Sequence, residues 1–325
     1  MAGLAFTSSG NAVLQASRRW IVAALGLTVI VWLVGLSGLL AIANRVHDDI
    51  PEMFAVKLPL LQLHPKLIFA GDSRMLYQVD AGLAAKLRDK PPGYAVNIAY
   101  HAGEPLALLA AIRREPERFA KAEVVVSIAL LMLNEGIREA TVFPQNVTAR
   151  LGVAEQITTF LPLRIGTLVR FIREAFASRL AAQQNVAGTA PQPADFGLVK
   201  LHHRADYRWP TELGTHSHYA GWNLAGPKSR FELGALCDMV GLTKHLTVVF
   251  PPWAARYNAA ADPAWWAKER EAAALIVATG RRCGFDVLDI AAVPGLTQAH
   301  FYDELHVNES GIPIYTTYLM TQLKH

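Results

Sequence analysis

Two short stretches hold residue types that together could carry nucleophilic chemistry: Gly71-Asp72-Ser73-Arg74 and Asp303-Glu304-Leu305-His306. A serine hydroxyl needs a base to take its proton, and the base needs an acceptor to orient it. Ser73 is the candidate nucleophile and His306 the candidate base. Asp303 stands three residues before His306, a spacing that lets both side chains face one side of a turn. Gly71 permits a tight backbone ahead of the serine. At a strand-to-helix turn the serine N–H can point at a developing oxyanion. Each stretch alone has an ordinary explanation, because Gly, Asp and Ser are common turn and cap residues and an isolated D-x-x-H is a common surface turn.

The elements around them must bring these stretches together. Residues 66–70 (KLIFA) read as a buried strand leading into Gly71. Further strands are expected at 94–99 (YAVNIA), 123–130 (EVVVSIAL), 245–250 (HLTVVF) and 285–290 (FDVLDI). Helical patterns fall near 79–88, 105–114, 263–282 and 309–323. Apolar strands alternating with helices predict an α/β fold in three layers, α/β/α, around a parallel sheet of about five strands. In such sheets ligands bind beyond the carboxyl ends of the strands. Ser73 follows the first strand and Asp303–His306 precede the closing helix. Arg74 could contact an anionic substrate group or be a salt-bridged turn residue. Trp253, in Pro251-Pro252-Trp253 after the fourth strand, is expected to line the cleft wall.

Residues 20–43 carry no charge, enough to cross a bilayer as a helix, which needs about 20 apolar residues. Arg18 and Arg19 precede the run. Arg45, Asp48 and Asp49 follow it. The positive-inside rule then keeps the N-terminus in the cytoplasm and the bulk of the chain outside. A cleaved signal peptide is disfavoured, because the run exceeds the usual apolar region of such peptides. The expected organisation is a cytoplasmic tail (1–19), a transmembrane signal-anchor helix (20–44), a linker (45–62) and an α/β domain (63–325) with a helical and loop insertion at 135–226.

GDS after the first strand and D-x-x-H before the last helix resemble the SGNH (GDSL-like) hydrolase superfamily, whose fold is flavodoxin-like. The resemblance implies that Ser73 is the nucleophile, His306 the general base and Asp303 its orienter. It implies an oxyanion hole of the Ser73 N–H, a glycine N–H after the second strand and an asparagine amide after the third. Gly103 is the candidate glycine, one residue beyond the usual spacing, with Ala102 in the expected place. Asn134, in Met132-Leu133-Asn134-Glu135, stands where the superfamily has G-x-N-D. Asn134 reads equally as a turn or cap residue. No cofactor or metal is implied.

With the apolar segment, the chain is similar to membrane-tethered members that modify envelope polymers, such as the alginate and cellulose O-acetylation proteins and the D-alanyl transfer protein of the teichoic-acid pathway. That resemblance implies acyl transfer to or from an extracytoplasmic glycan at the cytoplasmic membrane, beside a membrane-bound O-acyltransferase partner. An accessory, catalytically inactive glycan-binding subunit is the competing expectation.

The remaining features narrow the classes. The 325 residues carry a formal charge of +4, and basic residues are scattered with no nucleic-acid motif, which argues against a nucleic-acid partner. The hydrophobic fraction is 52% and the charged fraction 18%. In the insertion, Arg164, Arg170, Arg173 and Arg179 lie among apolar residues in a helical pattern, which fits a helix packed on its own domain better than one lying in a membrane interface or docking a membrane partner, because Pro162 and Gly166 interrupt it. His202, His203, His216 and His218 lack a matching carboxylate cluster for a metal. With Tyr207, Trp209, Tyr219 and Trp222 they read as loop packing or a carbohydrate-facing surface. Cys237 and Cys283, with no metal-site spacing, read as two buried thiols, although an oxidising compartment would let them pair.

Overall fold

The computed structural model describes residues 20–23, 25–27, 57–100, 103–134, 196–202, 221–254, 263–290 and 292–323. Five strands, β1 (Leu67–Gly71), β2 (Ala95–Asn97), β3 (Glu123–Ser127), β4 (His245–Phe250) and β5 (Asp286–Asp289), form one sheet in the order β2-β1-β3-β4-β5. Every pairing is parallel. Among the described residues the helices that accompany the sheet are α1 (Ser73–Gln78), α2 (Ala81–Leu87), α3 (Pro105–Arg114), α4 (Pro116–Phe119), α5 (Pro227–Val240), α6 (Pro263–Cys283) and α7 (Ile312–Gln322).

The sequences of β1 to β4 are largely apolar on both faces because both faces are covered, whereas the edge strand β5 begins and ends with exposed aspartates. Ile68, Ala70, Val124, Val126, Leu246 and Val248 pack with apolar residues of α3, α5 and α6. Their alternates Leu67, Phe69, Val125 and Val249 pack with α1, α2 and α7. This is the three-layer arrangement expected from the alternation. The chain steps from β1 outward to β2, then returns to place β3 on the other side of β1. That reversal falls between β1 and β3, and the carboxyl ends of strands at such a switch point are where these sheets bind ligands.

Three boundaries differ from expectation, each because a polar side chain intervenes. The helix expected near 79–88 is α2, and a further short helix, α1, precedes it. Val79 ends α1 in extended backbone, and the Asp80 side chain accepts from the Leu83 N–H at 2.9 Å to start α2. The second strand pairs only through Asn97. The Asn97 amide donates to the Met75 and Val79 carbonyls, both at 2.9 Å, and pins the end of α1 to the sheet. The third strand stops at Ser127, and Leu130–Leu133 form a 3-10 turn.

Cys237 and Cys283 are not free thiols. They form a disulfide that joins α5 to the last residue of α6. Each helix packs on the sheet, which brings the two ends to a Cα–Cα distance of 5.2 Å. The sequence does not contain that proximity.

Among the described residues no helix is long and apolar enough to cross a membrane. Of the 20–44 segment, residues 20–23 and 25–27 are described. They are helical, and Trp20, Ile21, Val22, Leu25 and Leu27 are 59–77% exposed. The rest of that segment and nearly all of the 135–226 insertion, including Arg164, Arg170, Arg173 and Arg179, lie outside the described residues.

Candidate active site

The site starts where three backbones crowd together. Gly71 ends β1 with φ +115°, and a Cβ there would stand 2.3 Å from the Ser127 carbonyl oxygen. A Cβ on Gly103 would stand 2.0 Å from the Gly71 carbonyl oxygen. Both glycines are therefore required by close approach, and Gly71 by its positive φ as well.

The Ser127 hydroxyl, at the end of β3, closes the gap this creates. It accepts from the Asp72 N–H at 3.2 Å and donates to Asp72 Oδ1 at 2.7 Å. Asp72 is the N-cap of α1, with Oδ1 accepting from the Arg74 N–H at 3.1 Å. Arg74 Nε and Nη2 both donate to Asp72 Oδ2, at 3.1 and 3.0 Å. Ser73 thus sits at the first position of a helix whose cap is fixed from the neighbouring strand.

Arg74 does not face a substrate. It is 2% exposed, ion-paired to Asp72, and its guanidinium lies 4.9 Å from the Trp253 ring. Trp253 is itself buried among Leu131 and Met132. Of the two readings of Arg74, this geometry fits the salt-bridged turn residue, and Trp253 packs beside it: a desolvated arginine needs a carboxylate and an aromatic face, and the ring supplies the second.

The second half of the site comes from the segment before α7. An antiparallel bridge between Phe301 and Val307, with the Tyr302 N–H on the His306 carbonyl at 2.8 Å, folds residues 301–307 into a tight loop. Buried Asn308 anchors the loop. Its Nδ2 donates to the Ala299 carbonyl at 2.8 Å, and its Oδ1 accepts from the Ser310 hydroxyl at 2.7 Å. The Ala254 N–H holds the Glu304 carbonyl at 3.1 Å.

In this loop Asp303 and His306 meet Ser73. His306 Nε2 is 2.8 Å from Ser73 Oγ. His306 Nδ1 is 2.9 and 2.8 Å from the two Asp303 carboxylate oxygens. Asp303 Oδ1 also accepts from the Leu305 and His306 N–H groups, each at 2.8 Å. An ionised carboxylate can only accept, so Nδ1 carries the proton and Nε2 is left to accept from the serine hydroxyl. Burial pushes the Asp303 carboxyl up. The hydrogen bond and charge of His306, with the two N–H groups, outweigh it and hold the group below its ordinary 3.8. The Tyr77 ring meets the imidazole edge-on, with centroids 5.2 Å apart, and limits its rotation.

The oxyanion residues fare differently. The Gly103 N–H is engaged in a turn to the Tyr100 carbonyl at 3.2 Å, so Gly103 is explained by its contact with Gly71 and not as a donor to a substrate oxygen. Ala102 lies outside the described residues. Asn134 is fully buried, ends the 3-10 turn, and its Oδ1 accepts from the Asn223 N–H at 2.9 Å. The Ser73 N–H, at the first helical position, has no acceptor within its helix.

Of the histidines weighed for a metal, His202 is described, and its Nδ1 meets Glu309 at 2.6 Å. Trp222 Nε1 donates to Glu271 at 2.9 Å. The other histidines and aromatic residues of that loop lie outside the described residues.

The sequence reading missed Ser127, Asn97, Asn308 and Gln78, which hold the site from outside it. Three of the four carry a signal that could have been read. Ser127 is the lone hydroxyl in EVVVSIAL, Asn97 the lone amide in YAVNIA, and Gln78 closes the apolar MLYQV. A polar residue inside an apolar run needs a specific partner.

No protein-family model matches the chain, and no curated protein matches it. Among solved structures it is similar to a catalytic mutant of an acetylxylan esterase from Geobacillus stearothermophilus. That match has 9% identity over 80% of this chain and 94% of the other, with a TM-score of 0.38. It is also similar to a carbohydrate acetylesterase family member from Sinorhizobium meliloti, with 10% identity over 80% and 97% of the two chains and a TM-score of 0.35. Likenesses this distant carry nothing about chemistry, which has to come from the site itself.

Proposed function

We propose that this chain is a serine acyl-transfer enzyme of the SGNH (GDSL-like) type. The observation that carries the reading is the continuous hydrogen-bonded line from Ser73 Oγ through His306 to the Asp303 carboxylate. Ser73 attacks an ester carbonyl as His306 Nε2 takes its proton. The Asp303 carboxylate stabilises the resulting imidazolium, and the Ser73 N–H faces the oxyanion. His306 then gives the proton to the leaving alkoxide, and the acyl group stays on Ser73. A second hydroxyl, of water or a sugar, attacks the acyl-enzyme with His306 again as base, which restores the serine.

The finer reading is a membrane-tethered enzyme acting on an extracytoplasmic glycan or envelope polymer, moving an acetyl or D-alanyl type group. A membrane-bound O-acyltransferase would supply or share that group. The uncharged 20–43 run supports the tether. The Cys237–Cys283 disulfide supports an oxidising compartment. The competing reading, an inactive glycan-binding subunit, is favoured by one observation: the Gly103 N–H is already taken by Tyr100.

The test uses the full chain in detergent with p-nitrophenyl acetate and a serine-directed phosphonate. Turnover and labelling that vanish in Ser73→Ala and fall at least about 1,000-fold in His306→Ala support the enzyme. Absence of both in the wild type favours the accessory subunit.

A further inference from the structure

We infer that Gln78 is a positioning residue for the base: it holds the peptide that presents His306 and its carboxylate partner to Ser73. The inference rests on the Ser73–His306–Asp303 reading. Gln78 Nε2 donates to the Leu305 carbonyl at 2.7 Å. That carbonyl belongs to the same peptide unit as the His306 N–H, which donates to Asp303 Oδ1 at 2.8 Å. One rigid peptide is therefore gripped on both edges, by Gln78 on its oxygen and by Asp303 on its hydrogen. Were the Leu305 oxygen released, the plane could turn and carry the His306 N–H off the carboxylate, with the imidazole bonded to it.

Gln78 is the last residue of α1, and Ser73 is the first. Nucleophile and base, far apart in the chain, are thus joined through one short helix. The Asn97 amide fixes that helix near its end, and the Thr316 hydroxyl donates to the Gln78 carbonyl at 3.4 Å.

Packing alone does not account for a glutamine here. The side chain is fully buried, and its Oε1 has no hydrogen-bond partner among the described residues. A buried acceptor left unpaired is costly, and methionine would fill the space without that cost. The donor on Nε2 is what glutamine adds. The titratable groups that share this place are Asp303, His306 and Tyr77.

The test compares Gln78→Met and Gln78→Glu with wild type in the full chain, using p-nitrophenyl acetate turnover, phosphonate labelling and thermal melting. Gln78→Met is expected to lower kcat by about 10-fold or more, with KM within about 2-fold and little change in melting temperature. The Gln78→Glu carboxylate cannot donate, so its kcat falls similarly at about pH 8. As pH is lowered toward about 5, burial favours the protonated carboxyl, whose O–H can donate to the Leu305 oxygen. The ratio of its kcat to that of wild type at the same pH therefore rises.

A pH-independent ratio, or a kcat in both variants that only follows loss of folded protein, overturns the positioning role. Full kcat in Gln78→Met does the same. Ser73→Ala, run alongside, separates the two readings. Turnover that survives it sinks both, whereas Ser73-dependent turnover indifferent to Gln78 overturns only this one.

Discussion

At Asp303 one carboxylate serves both orientation and stability. Asp303→Asn keeps the shape but can no longer fix the imidazole tautomer, so kcat should fall by roughly 10³–10⁴ with the fold intact. The same change has a signature in stability against pH. The folded Asp303 holds its proton less tightly than an ordinary carboxyl of 3.8. Its contribution is therefore fully present above that value and is lost as pH falls through the lower folded value. Melting curves of wild type and Asp303→Asn should differ most near neutral pH and converge below about pH 4. Convergence absent across that range would show that the carboxylate is not held ionised. Ser73, His306 and Asp303, which meet within hydrogen-bond distance, stood out in the sequence because the proposed nucleophile, base and orienter are each a distinctive residue type. Arg74 could not be placed, because the choice between facing a ligand and pairing with Asp72 depends on where Trp253 arrives. Gly103 was misread because a glycine needed for close approach looks the same as one needed for a free N–H.

Among the elements, the junction of β1, β3 and α1 is the one most exposed to small changes. Ser127→Ala would leave the Asp72 N–H without its acceptor and cost about 1–3 kcal/mol. Gly71→Ala should cost more, roughly 2–4 kcal/mol, since the added methyl meets backbone oxygen at positive φ. Denaturant melts of the two variants would check that order, and a Gly71→Ala protein as stable as wild type would contradict the packing described. The interface of α3 and α5 gives a different prediction. Burial first, and then the charge of Glu104, push the Glu232 carboxyl well above its ordinary 4.5, against the Leu106 N–H and Lys228. A raised folded value means a contribution present below 4.5 and lost as pH rises through the folded value. Glu232→Gln, which stays neutral and keeps an acceptor for the Leu106 N–H, should therefore gain in melting temperature over wild type as pH increases. The strands themselves were legible, because β-branched runs buried on both faces leave little choice. Their ends were not, since Asn97 and Ser127 stop them through partners distant in sequence.

Across the whole molecule, the site exists only when the fold is closed. Ser73 comes from the first strand's exit and His306 from the segment before α7, so loss of α7 would leave His306 without the helix that its loop leads into. The disulfide adds a constraint of the same reach. Chain-entropy reasoning for its loop, with a sequence separation of 46, gives a stabilisation of about 4 kcal/mol, and Cys237→Ser should lower the melting temperature accordingly. Reductant should reproduce that shift in the wild type and leave Cys237→Ser unchanged.

That loop encloses β4 and nearly all of α6. A protease cut anywhere between the two cysteines leaves a single covalent particle, with the fourth strand still clipped in place beside the third. Such nicked protein would run as one band until the sulfurs are reduced, then part into two. Survival of the fold through the nick and its loss on reduction would show how much of the chain's stability depends on a single pair of sulfur atoms.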